Sequence, residues 1–398
     1  MTRAYLDWAA SAPVHPVARA AAIEALEVLG NASSLHAEGR RARDLVETAR
    51  ERVARLARCS PREVIFTAGG TEANALAVIG GHRAVGGRVA VSSIEHPSVG
   101  LAARSLGGVE IALPCTAEGV IDLERAEEAL AGGAGLVAVQ VANNETGVLQ
   151  PVREIAALAA RAGARLHLDA VQAAGKIDLG FATECCHTLS LSAHKLGGIA
   201  GAGALIAKRG CEPLPLVPGH QERGIRGGTH ALVAIAAFGA VAEAVDRTLE
   251  ERRERILGAT REVERIVREA APDAIVNGGG AERVPGIVNA CFPGVDGETL
   301  RLVRSCGHLA GLLVHPTSSS PEQAVRLIRS HGSRGIVLAS NLGEGPGDLL
   351  GVPRTLHLLE RGRISREIAR RVAGENALEF FGIDPDAIAR PSDQPRSR

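Results

Sequence analysis

The chain has 398 residues, 45% of them hydrophobic, which is enough for a large buried core and suits one large domain with a smaller one. Its 45 Lys and Arg balance 45 Asp and Glu, so no overall field recruits nucleic acid or an anionic membrane. Seven scattered cysteines (Cys59, Cys115, Cys185, Cys186, Cys211, Cys291, Cys306) lack zinc spacing and suit free thiols, and "MTRAYLDWAASAPV" carries no signal-peptide pattern, so a cytoplasmic location is expected.

In chain order, residues 1–15 form an N-terminal segment expected to join the small domain, and 16–255 a large α/β domain. Within the latter, short β-branched runs alternate with Ala-, Leu-, Glu- and Arg-rich runs of helical period, the pattern of a mostly parallel seven-stranded sheet flanked by helices. "EVIFT" (63–67), "GRVAVSS" (87–93), "GLVAVQVAN" (135–143), "ARLHLDA" (164–170), "HTLSLSA" (187–193) and "GALIA" (203–207) read as strands. Residues 231–270 read as one long helical stretch leading into a smaller α/β domain over 256–388, and 389–398 as a frayed tail.

Several strands end in polar residues, and in open α/β sheets the ligand crevice lies beyond the carboxyl ends of the strands. "FTAGGTEAN" puts Gly69, Gly70 and Thr71 at a strand-to-helix turn suited to an anion. "IEHPSVG" puts His96, "VANNETGV" puts Asn143 and Asn144, and "HLDAVQAAGK" puts Asp169 and Gln172 past other strands. Singly, each reads as a turn or capping residue. "LSAHKLGGIAG" (191–201) adds a lysine, Lys195, in a small, apolar, glycine-rich turn, where an ammonium is costly unless paired or put to chemical use. A phosphate cradle, a stacking ring, a carboxylate, amide donors and an amine together are what a pyridoxal 5'-phosphate (PLP) enzyme requires.

The motifs "GNASSLHAEGR" (30–40), "TAGGTEAN" (67–74), "EHP" (95–97), "NNETGV" (143–148), "HLDAVQAAGK" (167–176), "SLSAHKLGG" (190–198) and "GHQERGIRGGT" (219–229) resemble, in order and spacing, the class V aminotransferase family. The resemblance is greatest to its NifS/IscS-type cysteine desulfurases and covers roughly the first 300 residues. It implies the PLP-dependent transferase fold, with Lys195 as the aldimine lysine, His96 stacked on the pyridine ring and Asp169 facing the ring nitrogen. It further implies Gln172 and Asn144 beside the phenolic oxygen, and Gly70, Thr71, Ser192 and His194 around the phosphate. Thr229 would reach the phosphate of a second subunit, making a homodimer with shared sites, and Asn31 would lie near the substrate carboxylate.

Two features depart from the family. Its sulfur-accepting loop cysteine follows "FPGVDGE", present here at 292–298, but the next loop reads "LAGLLVHPTSSSPEQ" (309–323), with Ser318, Ser319 and Ser320 and no cysteine. A hydroxyl does not replace a thiolate in persulfide formation. Cys306 is the nearest thiol in sequence. The family's carboxylate-clamping arginine is likewise replaced, with Glu344 at the closest position and Arg334 and Arg354 as nearby cations. From 312 to about 385 the chain resembles the closing βα units of a TatD-type hydrolase barrel. Two such units close no barrel, His315 with Asp348 makes no dinuclear site, and no metal is expected. Three functions follow as alternatives: a desulfurase-like enzyme acting on an amino acid such as L-cysteine and passing sulfur to an acceptor protein, a PLP-dependent C–S lyase or aminotransferase, or a PLP-binding scaffold without activity.

Overall fold

The computed structural model describes residues 5–293 and the backbone of two short strands, Leu312–Val314 and Ile336–Leu338. It divides into two compact units, Met1–Cys291 and Phe292–Arg398. The first unit opens with α1 (Pro16–Leu26) and α2 (Ala37–Leu56). β1 (Val64–Thr67) then leads into α3 (Gly70–Ala75), a π-helical segment at Leu76–Gly80 and α4 (Gly81–Val85). Next come β2 (Val89–Ser92), α5 (Pro97–Arg104), β3 (Glu110–Leu113), α6 (Leu123–Leu130) and β4 (Leu136–Gln140). They are followed by α7 (Val152–Arg161), β5 (Arg165–Asp169), α8 (Gly180–Cys185), β6 (Thr188–Ser192), α9 (Ala193–Leu196) and β7 (Gly203–Ala207). Helices α10 (Leu232–Arg247) and α11 (Leu249–Ala270) and a small ribbon, β8 (Ile275–Val276) against β9 (Ala290–Cys291), complete the unit.

The seven strands β1 to β7 form one sheet in the order β1-β7-β6-β5-β4-β2-β3. Only β7 runs against its neighbours β1 and β6, so the sheet is mostly parallel. Parallel strands joined by crossover helices are covered on both faces, which is why these runs are apolar throughout. Alternate residues feed opposite cores: Val137 and Val139 pack in the main cluster, whereas Leu136 and Ala138 pack with Val78, Val99 and Ala103 beyond the other face. On the main side α10 lies across α2 and α1. Gly239 makes that crossing close, because a Cβ there would come within 2.5 Å of the Ala49 Cα.

β3 was not anticipated. It is an edge strand flanked by Gly107 and Gly108, and Glu110 and the outward-facing Ala112 interrupt its apolar run. The single helical stretch expected over 231–270 is two helices, because Thr248 leaves helical geometry (φ −118°, ψ 19°). No helix among the described residues is long and apolar enough to cross a membrane.

A buried ion pair ties α2, β1 and the 216–230 loop together. The Glu222 carboxylate accepts from Arg50 Nη1 (2.7 Å) and Nη2 (2.9 Å), the Phe66 N–H (2.9 Å) and His230 Nε2 (2.7 Å). Burial alone would push this carboxyl up, but hydrogen bonds from Arg50 and His230, the Arg50 charge and the Phe66 N–H bring it down to about 2. A depressed acid contributes stability that is complete above its unfolded value and lost as pH falls through the folded one, here from about 4.5 towards about 2. Replacing Glu222 by Ala leaves the buried Arg50 guanidinium only the half-exposed Glu47 carboxylate and the Val64 carbonyl, and is expected to cost about 2–4 kcal/mol in urea unfolding at neutral pH. The cost should shrink as pH is lowered through that window.

Candidate active site

Lys195 stands in α9, directly after β6, and its part-buried Nζ donates to the Ala9 carbonyl. Residues 5–15 lie across this turn: the Ala12 N–H donates to His194 O (3.0 Å) and the His15 N–H to Gly197 O (2.8 Å). Gly197 adopts φ 94°, and a Cβ there would press on Pro13 O at 3.0 Å, so glycine is required for the segment to dock. Burial draws the Lys195 amine below its ordinary value, opposed by the charges of Asp7, Asp169 and Glu145. An amine with a lowered proton affinity is easier to present as a nucleophile.

Asp169 ends β5, the strand beside β6, in register with Ser190. It is buried, with Oδ1 accepting from the Val171 N–H (2.9 Å) and Oδ2 from Asn74 Nδ2 (2.7 Å). Burial raises its carboxyl, and the hydrogen bonds and the nearby His96 only partly offset this. An acid so placed is complementary to a cation brought in by a ligand.

Asn74 links this acid to the imidazole of His96. Its Nδ2 also donates to Ser98 Oγ (2.9 Å), which lies 2.7 Å from His96 Nδ1. That nitrogen accepts the Ser98 N–H (3.1 Å) at the start of α5, so it carries no proton, Ser98 O–H donates to it and Nε2 bears the hydrogen. His167 sets the Asn74 amide from the other side: its Nε2–H donates to Asn74 Oδ1 (3.1 Å) and its Nδ1 accepts from Thr188 Oγ1 (3.0 Å). Burial holds His167 neutral, at about 3. The amide therefore has one permitted orientation, with both donors towards Asp169 and Ser98.

Gly70, Ser192 and Val171 meet at the ends of β1, β6 and β5. A Cβ on Gly70 would approach Val171 Cγ2 to 2.8 Å and Ser192 Cβ to 3.3 Å, so the α3 backbone needs glycine to come this close. Ser192 Oγ is buried without a hydrogen-bond partner among the described residues. Thr71 is exposed beside it, and His194 Nδ1 sits 3.3 Å from Ser11 Oγ. Burial and the Lys195 charge draw His194 below its ordinary value. Gln172 is buried, its Nε2 donating to the Ala9 carbonyl at 2.8 Å, the same oxygen that receives Lys195. Asn144 is partly exposed and donates to Glu145 Oε1 (2.8 Å), whereas Asn143 Oδ1 is consumed by the turn at Glu145 and Thr146.

Two candidates lie apart from this cluster. Asn31 is exposed and caps its own turn on the Ser33 N–H (2.9 Å), and Thr229 is exposed in the loop carrying Glu222. Cys306, Ser318, Ser319, Ser320, Arg334, Glu344, Arg354, His315 and Asp348 lie outside the described residues. Sequence reasoning had assigned no role to Asn74, Ser98, His167 or Glu95. The signal was present for Asn74, inside "TEAN", and for Ser98, two residues after His96. Glu95 carries a carboxyl pushed up to about 8 by burial, which accepts from Ser92 Oγ and the Gln140 N–H and so pins the end of β2 to β4.

Comparison with known proteins agrees with this geometry. The class V aminotransferase family matches residues 4–305. The chain belongs to that family. It is 36% identical over 318 residues to an IscS-like cysteine desulfurase of Mycobacterium tuberculosis, covering 75% of this chain and 80% of that one. It is 37% identical over 308 residues to a mitochondrial cysteine desulfurase of Arabidopsis thaliana, covering 74% and 68%. Among solved structures, DndA of Streptomyces lividans superposes with a TM-score of 0.62 at 32% identity, covering 74% of this chain and 86% of that one. A NifS-like protein of Rickettsia africae shares the fold over 95% of this chain and 99% of its own, with a TM-score of 0.69 at 24% identity. The class V match stops at residue 305, before the serine-bearing loop.

Proposed function

We propose that this class V family member is a PLP-dependent enzyme of the cysteine desulfurase type, acting on a small amino acid such as L-cysteine. The observation that carries the reading is the placement of Lys195 and Asp169 at the ends of neighbouring strands: an amine weakened by burial, and a buried acid whose carboxyl is raised by burial and which forms no direct ion pair among the described residues. The cradle fits the cofactor as well, since the unpartnered Ser192 hydroxyl and the glycine-only approach at Gly70 suit a phosphate. Thr71 and His194 complete it.

Bound PLP supplies an electron sink for the bond broken at the amino acid's α-carbon. The chain's own residues do the rest. Lys195 holds the cofactor and afterwards moves the α-proton. His96, its Nδ1 held by Ser98, offers its ring face for stacking. Asp169 keeps a proton on the ring nitrogen, and Gln172 and Asn144 donate to the phenolic oxygen. Asn31 serves the substrate carboxylate.

A homodimer completes the site. The exposed side chains Leu6 (86%), Leu26 (67%), Leu29 (76%), Leu35 (79%) and Val217 (63%) are an unusual outlay of apolar surface for a monomer. A second copy covering them brings Thr229 to the neighbouring phosphate.

The serines at 318–320 favour one second reading, a C–S lyase, which needs no thiol acceptor. Incubation with L-cysteine separates the two. A desulfurase yields alanine, with the sulfur passing to an added thiol as its persulfide and recovered as sulfide when further thiol converts that persulfide to a disulfide. A lyase yields pyruvate, ammonia and sulfide. Alanine as the product supports the desulfurase reading; pyruvate and ammonia sink it, and spectral silence towards amino acids leaves a scaffold. With sulfur passing to an external acceptor, Cys306→Ser is expected to release sulfide within twofold of the wild type.

A further inference from the structure

Only three of the 45 basic residues are lysines: Lys176, Lys195 and Lys208. In a chain where arginine is the default cation, a lysine marks a place that needs a compact amine on a slender stem. Lys208 is at the surface, donating to Glu184 O. The other two converge on one hydrogen-bond path. Lys176 Nζ donates to Gln172 Oε1 (2.8 Å), Gln172 Nε2 donates to the Ala9 carbonyl (2.8 Å), and Lys195 Nζ donates to that same carbonyl.

The path leaves the Gln172 amide no freedom. Turned over, it would set its NH2 against an ammonium and its oxygen against a carbonyl, two repulsive contacts in place of two hydrogen bonds. Removing Lys176 leaves Oε1 without its donor and only the Ala9 carbonyl to hold the amide. The surroundings suit this arrangement: burial, Lys195 and Arg252 of α11 push the Lys176 amine down to about 8, so it sits among cations without a carboxylate of its own.

We infer that Lys176 is a positioning residue that fixes the donor edge of Gln172 beside Lys195, so that this amide presents N–H, not oxygen, to the cofactor's phenolic oxygen. It acts through Gln172 and touches neither cofactor nor substrate. The inference rests on the PLP reading of the site, and the two are tested separately.

The first test uses the cofactor-free protein. In a crystal structure of Lys176→Met, Gln172 should leave the Ala9 carbonyl; an amide still seated there at hydrogen-bond distance overturns the inference. The second uses protein loaded with PLP and follows the pH midpoint of its visible absorbance in Lys176→Met, Gln172→Leu and the double variant. A donor to a phenolate weakens that oxygen's hold on the neighbouring imine proton. Its loss should therefore raise the midpoint by about one unit in either single variant. The double variant should show no further shift, because both substitutions remove the same hydrogen bond. Lys176→Arg, which keeps a donor, should restore most of the midpoint and guards against a variant that merely folds poorly. If Lys176→Met shifts the midpoint equally in the Gln172→Leu background, the amine acts by charge alone and the inference fails. A wild type that never takes up PLP removes the cofactor reading and leaves the crystallographic arm to judge Lys176.

Discussion

Lys195→Ala is expected to give colourless protein after exposure to PLP and to lower turnover of L-cysteine on the order of 10³-fold or more. Two separate roles are removed at once, the covalent hold on the cofactor and the base for the α-proton, so the loss exceeds that of one acid–base group. The fold should be nearly indifferent to the change. Lys195 is part-buried, its principal hydrogen bond goes to the Ala9 carbonyl, and burial already disfavours its charged form. A free-energy cost within about 1 kcal/mol in urea unfolding is the expected companion result. A Lys195→Ala protein that kept the visible band of the wild type would mean that another amine carries the cofactor. With three lysines in the chain, peptide mapping after borohydride reduction would identify it directly.

What could be read beforehand was what local pattern encodes. Six of the seven strands show themselves as apolar, β-branched runs bounded by turns, and Asp169, Ser192 and Lys195 sit at or just past strand ends in a fixed order. Such features depend on a few consecutive residues and on where a crossover fold places its crevice. β3 escaped because it is half-exposed, unlike the fully buried edge strand β1, and Ala112 and Glu110 break its apolar run. The division at Thr248 escaped because residues on both sides have helical period, and the interruption is a single φ/ψ excursion.

The polar network was harder for a different reason. Thr188, His167, Asn74, Ser98 and His96 come from two strands, β6 and β5, and two helices, α3 and the start of α5, and nothing in their spacing says that they share hydrogen bonds. Each alone reads as a cap or a strand polar residue. Only the fold shows that the buried acid and the hydroxyl beside His96 share the NH2 of one asparagine, whose oxygen is held by His167. The contact of Ala9 with Lys195 is of the same kind, joining residues 186 apart in the chain.

Asp169→Asn is expected to leave PLP bound and the fold intact while slowing turnover about 10²–10⁴-fold, measured as loss of L-cysteine and as exchange of its α-hydrogen with solvent. The stability prediction follows from two opposing terms. Burial raises the Asp169 carboxyl in the cofactor-free protein, so its ionised form costs stability above its ordinary value, and that cost disappears as pH falls through the raised one. A neutral amide removes this cost. Against that, an asparagine that keeps its oxygen on the Val171 N–H turns an NH2 towards the Asn74 NH2, and Asn74 has no freedom to turn because His167 holds its oxygen. One hydrogen bond is lost, a term of about 1 kcal/mol. The two effects should leave the cofactor-free protein within about 1 kcal/mol of the wild type at neutral pH, with the difference moving against the variant in acid. Turnover has no such compensation, because an amide does not hold a proton on a pyridine nitrogen by charge. An Asp169→Asn protein with turnover within tenfold of the wild type would therefore show that the buried acid serves the fold and not the chemistry.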